Sequence, residues 1–145
     1  MNRILAVTIG ALLLGSVVQA QDKTIKNANV ASEAELTAAG LKADVAKAVI
    51  AKRPFASVVA LDQFLQQQGM TREQITPVYS TVFVPVNLNT AADDEILLIP
   101  GAGRRMLREF KEYRPYDAIE RFRKEIGKYV DAAEVARLES YVTLK

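Results

Sequence analysis

The sequence predicts an all-α fold made of two tandem copies of one helical unit. Three observations point there. Apolar residues recur at helical spacing through most of the chain. Glycines, prolines and capping residues interrupt them at short intervals. The second half then repeats the order of the first. "NANVASEAEL" (27–36) aligns with "NLNTAADDEI" (87–96), and "AGLKADVAKAVIAKRPF" (39–55) aligns with "PGAGRRMLREFKEYRPY" (100–116).

The first twenty residues, "MNRILAVTIGALLLGSVVQA", read as a secretory signal peptide. Arg3 gives a positive start, Ile4 to Val18 is mostly apolar, and Val18-Gln19-Ala20 supplies small residues for cleavage after Ala20. The run is too short and too interrupted to be a comfortable membrane span. The expected location is periplasmic or secreted, with no stable membrane span after cleavage. A cysteine-free chain suits an oxidising compartment.

The rest divides into an expected first module over residues 21–84 and a second over residues 85–145. In the first, Ser32 with Glu35 reads as a capping box for a helix that ends before Gly40. Val45 and Val49 mark the next helix, which Arg53-Pro54 terminates. Val58, Leu61 and Leu65 stripe a third. Thr71 with Gln74 opens a fourth, carrying Ile75 and Val78. "STVFVPVNLN" contains Pro85 and reads as an extended connector rather than a strand of a sheet. In the second module Thr90 with Asp93 is expected to cap the first helix, which ends near Leu98. The next runs from about Arg104 to Tyr113, with Met106, Phe110 and Tyr113 on its core face. Ile119, Phe122 and Ile126 stripe the third, and Asp131 caps the fourth, which carries Val135, Leu138 and Val142.

The turn at residues 99–103, "IPGAG", raises the functional question. Gly101 and Gly103 permit a tight reversal. Neither Ala102 nor Gly103 has a side chain that can cap the following helix. Its first N–H groups therefore face outward with the helix dipole behind them, which favours an anion. On a helical wheel Arg104, Arg108 and Lys111 form one stripe, with Arg105 beside it, opposite the core face. A plain solvated face is the competing explanation, with Glu109 and Glu112 as i,i+3 and i,i+4 partners.

"NLNTAADDEILLIPGAGRRMLREFKEYR" resembles the helix-hairpin-helix module of the ComEA family of extracytoplasmic, competence-type DNA-binding proteins. The pattern is Asn-x-Asn-Thr-Ala, then Leu-Pro-Gly-x-Gly, then a helix ending in Tyr-Arg. It is met at Asn87, Asn89, Thr90, Ala91, Pro100, Gly101, Gly103, Tyr113 and Arg114. The resemblance is specific over about sixty residues and weaker over the first copy. It implies tandem SAM-like modules of about four short helices each. It also implies non-enzymatic, sequence-independent binding of duplex DNA in an uptake role, with phosphates held by Gly101, Ala102, Gly103, Arg104 and Arg105. Arg108 and Lys111 extend that set.

The other three turns depart from the pattern. Gly40-Leu41-Lys42 lacks the proline and the second glycine. Gly69-Met70-Thr71 has one glycine and its own cap. "IGKYVDAAEV" places Asp131 where a phosphate would sit. Charge does not settle the matter: residues 21–85 carry seven Lys/Arg against six Asp/Glu, and residues 86–145 carry eleven of each. The extrinsic photosystem PsbU proteins resemble the same fold and serve in a protein assembly. A protein-binding, secretion- or pilus-associated module that has lost DNA is therefore the alternative.

Catalysis has little to work with. There is no His or Cys, so the usual nucleophile–base pairs and zinc sites are missing. No catalytic residue, metal site or cofactor is expected. Asp93-Asp94-Glu95 opens a helix, where the dipole already favours acids. The Arg-Pro-Phe/Tyr elements and the asparagines 27, 29, 87 and 89 are expected to pack and bond at turns.

Overall fold

The structure is a computed structural model that describes residues 24–145. The expected signal peptide over residues 1–20 and its cleavage site lie outside the described residues. Among the described residues, eight helices fall in two runs of four, each run bracketed by two very short strands. The first half runs β1 (Lys26–Asn27), α1 (Glu33–Ala38), α2 (Ala43–Lys52), α3 (Val58–Gln67), α4 (Arg72–Val78) and β2 (Val82–Phe83). The second runs β3 (Val86–Asn87), α5 (Asp93–Leu97), α6 (Arg104–Glu112), α7 (Ile119–Ile126), α8 (Ala132–Glu139) and β4 (Val142–Thr143). The fold is thus mainly helical.

The connector departs from expectation. Val82–Phe83 and Val86–Asn87 are strands, and each closes a ring. β2 pairs in parallel with β1, the start of its own half, and β3 pairs in parallel with β4, the end of its half. Lys26 N–H donates to Thr81 O at 2.7 Å and Ala28 N–H to Phe83 O at 2.8 Å. Val86 N–H to Tyr141 O and Leu88 N–H to Thr143 O, both 2.9 Å, match them in the second half. The buried backbone of this apolar stretch needs partners, and the far end of each half supplies them.

The repeat is structural as well as sequential. Asn29 Nδ2 donates to Phe55 O at 2.9 Å while its Oδ1 accepts from Phe55 N–H at 2.7 Å. Asn89 makes the same two bonds to Tyr116, at 2.9 and 2.7 Å. Arg53 Nη2 donates to Ala31 O at 2.5 Å and Arg114 Nη2 to Ala91 O at 2.9 Å. Each lock ties the segment before the first helix to the Arg-Pro turn after the second. Both Arg-Pro bonds are cis. The Arg-Pro-aromatic elements are therefore packing devices, with Phe55 and Tyr116 buried.

The two halves share one continuous core. Phe83 stands at the join. Its ring lies edge-on to Tyr79 at 5.4 Å and to Tyr141 at 5.0 Å, and all three are buried. The Tyr141 hydroxyl donates to Tyr79 O at 2.9 Å, a bond between the halves.

Capping follows the sequence at three helices and not at a fourth. Ser32 accepts from Glu35 N–H at 3.2 Å while Glu35 Oε2 accepts from Ser32 N–H at 2.9 Å. Gln74 Oε1 accepts from Thr71 N–H at 2.9 Å. Asp131 Oδ1 accepts from Glu134 N–H at 2.8 Å. The expected Thr90–Asp93 cap does not form. Thr90 lies in a turn gathered by Asn87, whose Oδ1 accepts from Asn89 and Thr90 N–H. That turn moves the helix start past Ala92, and Glu95 Oε2 takes Ala92 N–H at 2.8 Å instead.

Candidate phosphate-binding hairpin

Helices α5 and α6 meet at a corner whose buried and exposed residues alternate. Ile99 and Ala102 point into the core, 1% and 5% exposed, and pin the turn. Gly101 takes a φ of +79°, a left-handed conformation that glycine adopts without strain. Gly101 and Gly103 are exposed. A Cβ at Gly101 would stand 3.0 Å from the Arg137 guanidinium. A Cβ at Gly103 would meet nothing within 4 Å, so this side of the corner is open.

Gly103 is the N-cap of α6, and no side chain caps that helix among the described residues. The Leu107 N–H to Gly103 O bond, 3.0 Å, closes its first turn. The amides of Arg104, Arg105 and Met106 precede that bond and have no partner within the helix. Ala102 differs from the sequence expectation. Its N–H is spent on Ile99 O at 3.0 Å and its methyl is buried. The turn consumes that amide to hold its own shape, so Ala102 is scaffold.

Two of the other tight corners engage one helix amide each, although the α2 N-cap, Lys42, makes no side-chain bond. In α2 Asp44 Oδ1 accepts from Val45 N–H at 2.9 Å, and Asp131 does this for α8. Asp44 aligns with Arg105 in the repeat. One position thus carries a carboxylate over the amides in the first copy and a guanidinium beside them in the second.

The basic stripe is exposed as the wheel predicts: Arg104, Arg105, Arg108 and Lys111 face solvent, with Phe110 buried beneath. Its charges are not equally free. Lys111 Nζ lies 2.5 Å from Asp93 Oδ1, so Lys111 braces α6 against α5. Arg104, Arg108 and Arg105 form no ion pair among the described residues. The suggested Glu109 and Glu112 partners do not engage them. Glu109 is instead buried, 9% exposed. Arg105 lies over the Tyr129 ring with its Cζ 5.6 Å from the centroid. Tyr129 shares a 2.7 Å hydroxyl–hydroxyl bond with Tyr113. That bond, and then Glu109, push the Tyr129 phenol above its usual pKa, so it stays neutral.

Comparison with family models, with curated proteins and with solved structures finds no match.

Two clefts flank the corner. One, about 510 Å³, is lined by Arg72 and Thr76 of α4, by Tyr79 just past its end and by residues 97–103. The other, about 350 Å³, is lined by Asp93, Leu97, Arg104, Leu107 and Arg108. Leu97, 42% exposed, lines both. The Asp93-Asp94-Glu95 acids are all engaged within the protein. Asp93 holds Lys111, Asp94 Oδ1 accepts from Glu95 N–H at 3.0 Å, and Glu95 caps Ala92. No helix of the described residues is long and apolar enough to cross a membrane.

Sequence reasoning missed two members of this neighbourhood. Tyr129 and Arg137 reach the corner from the far end of the second half. Nothing in their local spacing signals it.

Proposed function

We propose that the chain is an extracytoplasmic, non-enzymatic DNA-binding protein of the ComEA-like helix-hairpin-helix type. In this reading it consists of two tandem modules with one working hairpin. Gly103, Arg104 and Arg105 offer backbone amides to a phosphate, Gly101 shapes the turn, and Arg104, Arg105 and Arg108 add charge. Such contacts read no base edges, so binding is independent of sequence. The single observation that carries the reading is the contrast between corners. The α6 corner is uncapped, open on the Gly103 side and followed by Arg104, Arg105 and Arg108, which form no ion pair among the described residues. In α8 the Asp131 cap takes the Glu134 amide, and in α2, whose N-cap Lys42 makes no side-chain bond either, Asp44 takes the Val45 amide.

A titration of residues 21–145 against a labelled duplex at several salt concentrations tests this. Wild type is expected to bind in roughly the micromolar range at low salt and to weaken as salt rises. Arg104→Gln with Arg105→Gln should weaken binding about tenfold and reduce the salt slope by about two, with an unchanged circular dichroism spectrum. The assembly-module reading draws on a different observation, the exposed Leu97 beside the corner. Equal binding by wild type and variant, or none by either at low salt, would leave that reading in place.

A further inference from the structure

Outside the hairpin, the second half carries a group of cations around one acid. Arg121, Lys124 and Lys128 recur at helical spacing on α7 and just past its end, and all three are exposed. Glu125 sits among them and pairs with Lys128. The hydrogen bond from Lys128, and then the charges of Lys128, Lys124 and Arg121, hold its carboxyl below the usual range against an opposing effect of burial. The other acid of α7, Glu120, pairs with Arg123 at 3.7 Å, so within this group one carboxylate stands against three cations. Arg121 and Lys124 form no ion pair among the described residues, whereas Arg123, on the other side of α7, is clamped to Glu139 at 2.6 and 2.7 Å.

Two tyrosines join this group to the hairpin. Lys128 Nζ lies 5.1 Å from the centre of the Tyr113 ring. Tyr113 bonds to Tyr129, and Tyr129 carries Arg105 on its face. A band of positive charge on an aromatic floor therefore runs from the start of α6 to α7. It passes beside the α7–α8 turn, where Asp131 already takes the Glu134 amide.

We propose that this band is the continuation of the nucleic-acid path: the phosphodiester backbone leaves the hairpin at Arg105, crosses the Tyr129–Tyr113 pair and is held by Lys124 and Arg121, not by the α8 turn. The proposal rests on the DNA-binding reading and adds two phosphate-contacting residues to it. Its chemistry is that of spaced cations meeting a regularly charged polymer, each contact releasing about one counterion.

The test compares salt slopes for a labelled duplex bound by residues 21–145. Arg121→Gln with Lys124→Gln should lower the slope by roughly one to two and weaken binding several-fold at low salt. The control Lys47→Gln with Lys52→Gln, in the first half, should match wild type. Asp131→Asn, which retains a capping side chain, should also bind as wild type does. A wild-type slope in the Arg121/Lys124 variant, while Arg105→Gln still lowers it, overturns the extension and leaves the hairpin reading standing. Tighter binding by Asp131→Asn overturns it in favour of the α8 turn. No binding by wild type at low salt removes both.

Discussion

A few side chains do most of the specifying, and Asp62 is the clearest example in the core. It is 5% exposed. Its oxygens accept from Arg72 at 2.6 and 2.9 Å, from the Tyr79 hydroxyl at 2.8 Å and from Gln66 at 2.6 Å. Burial opposes its ionisation. The hydrogen bonds from Arg72, Tyr79 and Gln66 outweigh it, and the carboxyl lies below its ordinary pKa. A depressed folded pKa stabilises the protein above the unfolded value of about 3.9 and stops doing so as pH falls through the folded one. Asp62→Asn should therefore cost about 2 kcal/mol near neutral pH, with the gap to wild type closing below about pH 4. Thermal unfolding of both from about pH 7 to about pH 3 checks this. A constant gap would mean that the charge of Asp62 contributes nothing.

At the scale of elements, the repeat predicts matched energetics. Asn29 and Asn89 each make two hydrogen bonds across the same lock. Replacing either with Ala should destabilise by about 2 kcal/mol, since each loses two partly buried bonds worth about 1 kcal/mol apiece. Urea unfolding measures it, and a large difference between the two would mean the locks are not equivalent. Helix positions were legible in the sequence because their signals are local: Ser32–Glu35, the Arg-Pro stops and Asp131 all act within a turn. The Thr90 cap misread the start of α5 because Asn87 folds the preceding residues into a turn of its own. The two-residue strands left no periodicity to read. Val82–Phe83 pairs with residues more than fifty positions away, and only the closed half creates the pairing.

For the whole molecule, the continuous core and the Tyr79–Phe83–Tyr141 cluster predict that the halves unfold together. Tyr141→Ala removes a buried ring and the bond to Tyr79 O. It should cost about 3–5 kcal/mol and separate the transitions of the two halves in calorimetry. A single unchanged transition would show that the join is not what couples them. The candidate site was partly legible for the same reason as the helices. Gly101, Gly103 and the arginines lie within eight residues of one another, so their grouping is local. That Lys111 is neutralised by Asp93, eighteen positions back, and that Tyr129 carries Arg105, are products of tertiary packing. The loss of the Ala102 amide to Ile99 O depends on the detailed shape of the turn.

In the proposed reading, unpartnered backbone amides at the start of α6 receive a phosphate. Amide ¹H–¹⁵N spectra during titration with a short duplex read those groups one by one. Gly103, Arg104 and Arg105 are expected to move first and furthest, while Val45 and Glu134, whose amides are held by Asp44 and Asp131, stay in place. Shifts that begin at Val45 or Glu134 and leave residues 103–105 unmoved would contradict it.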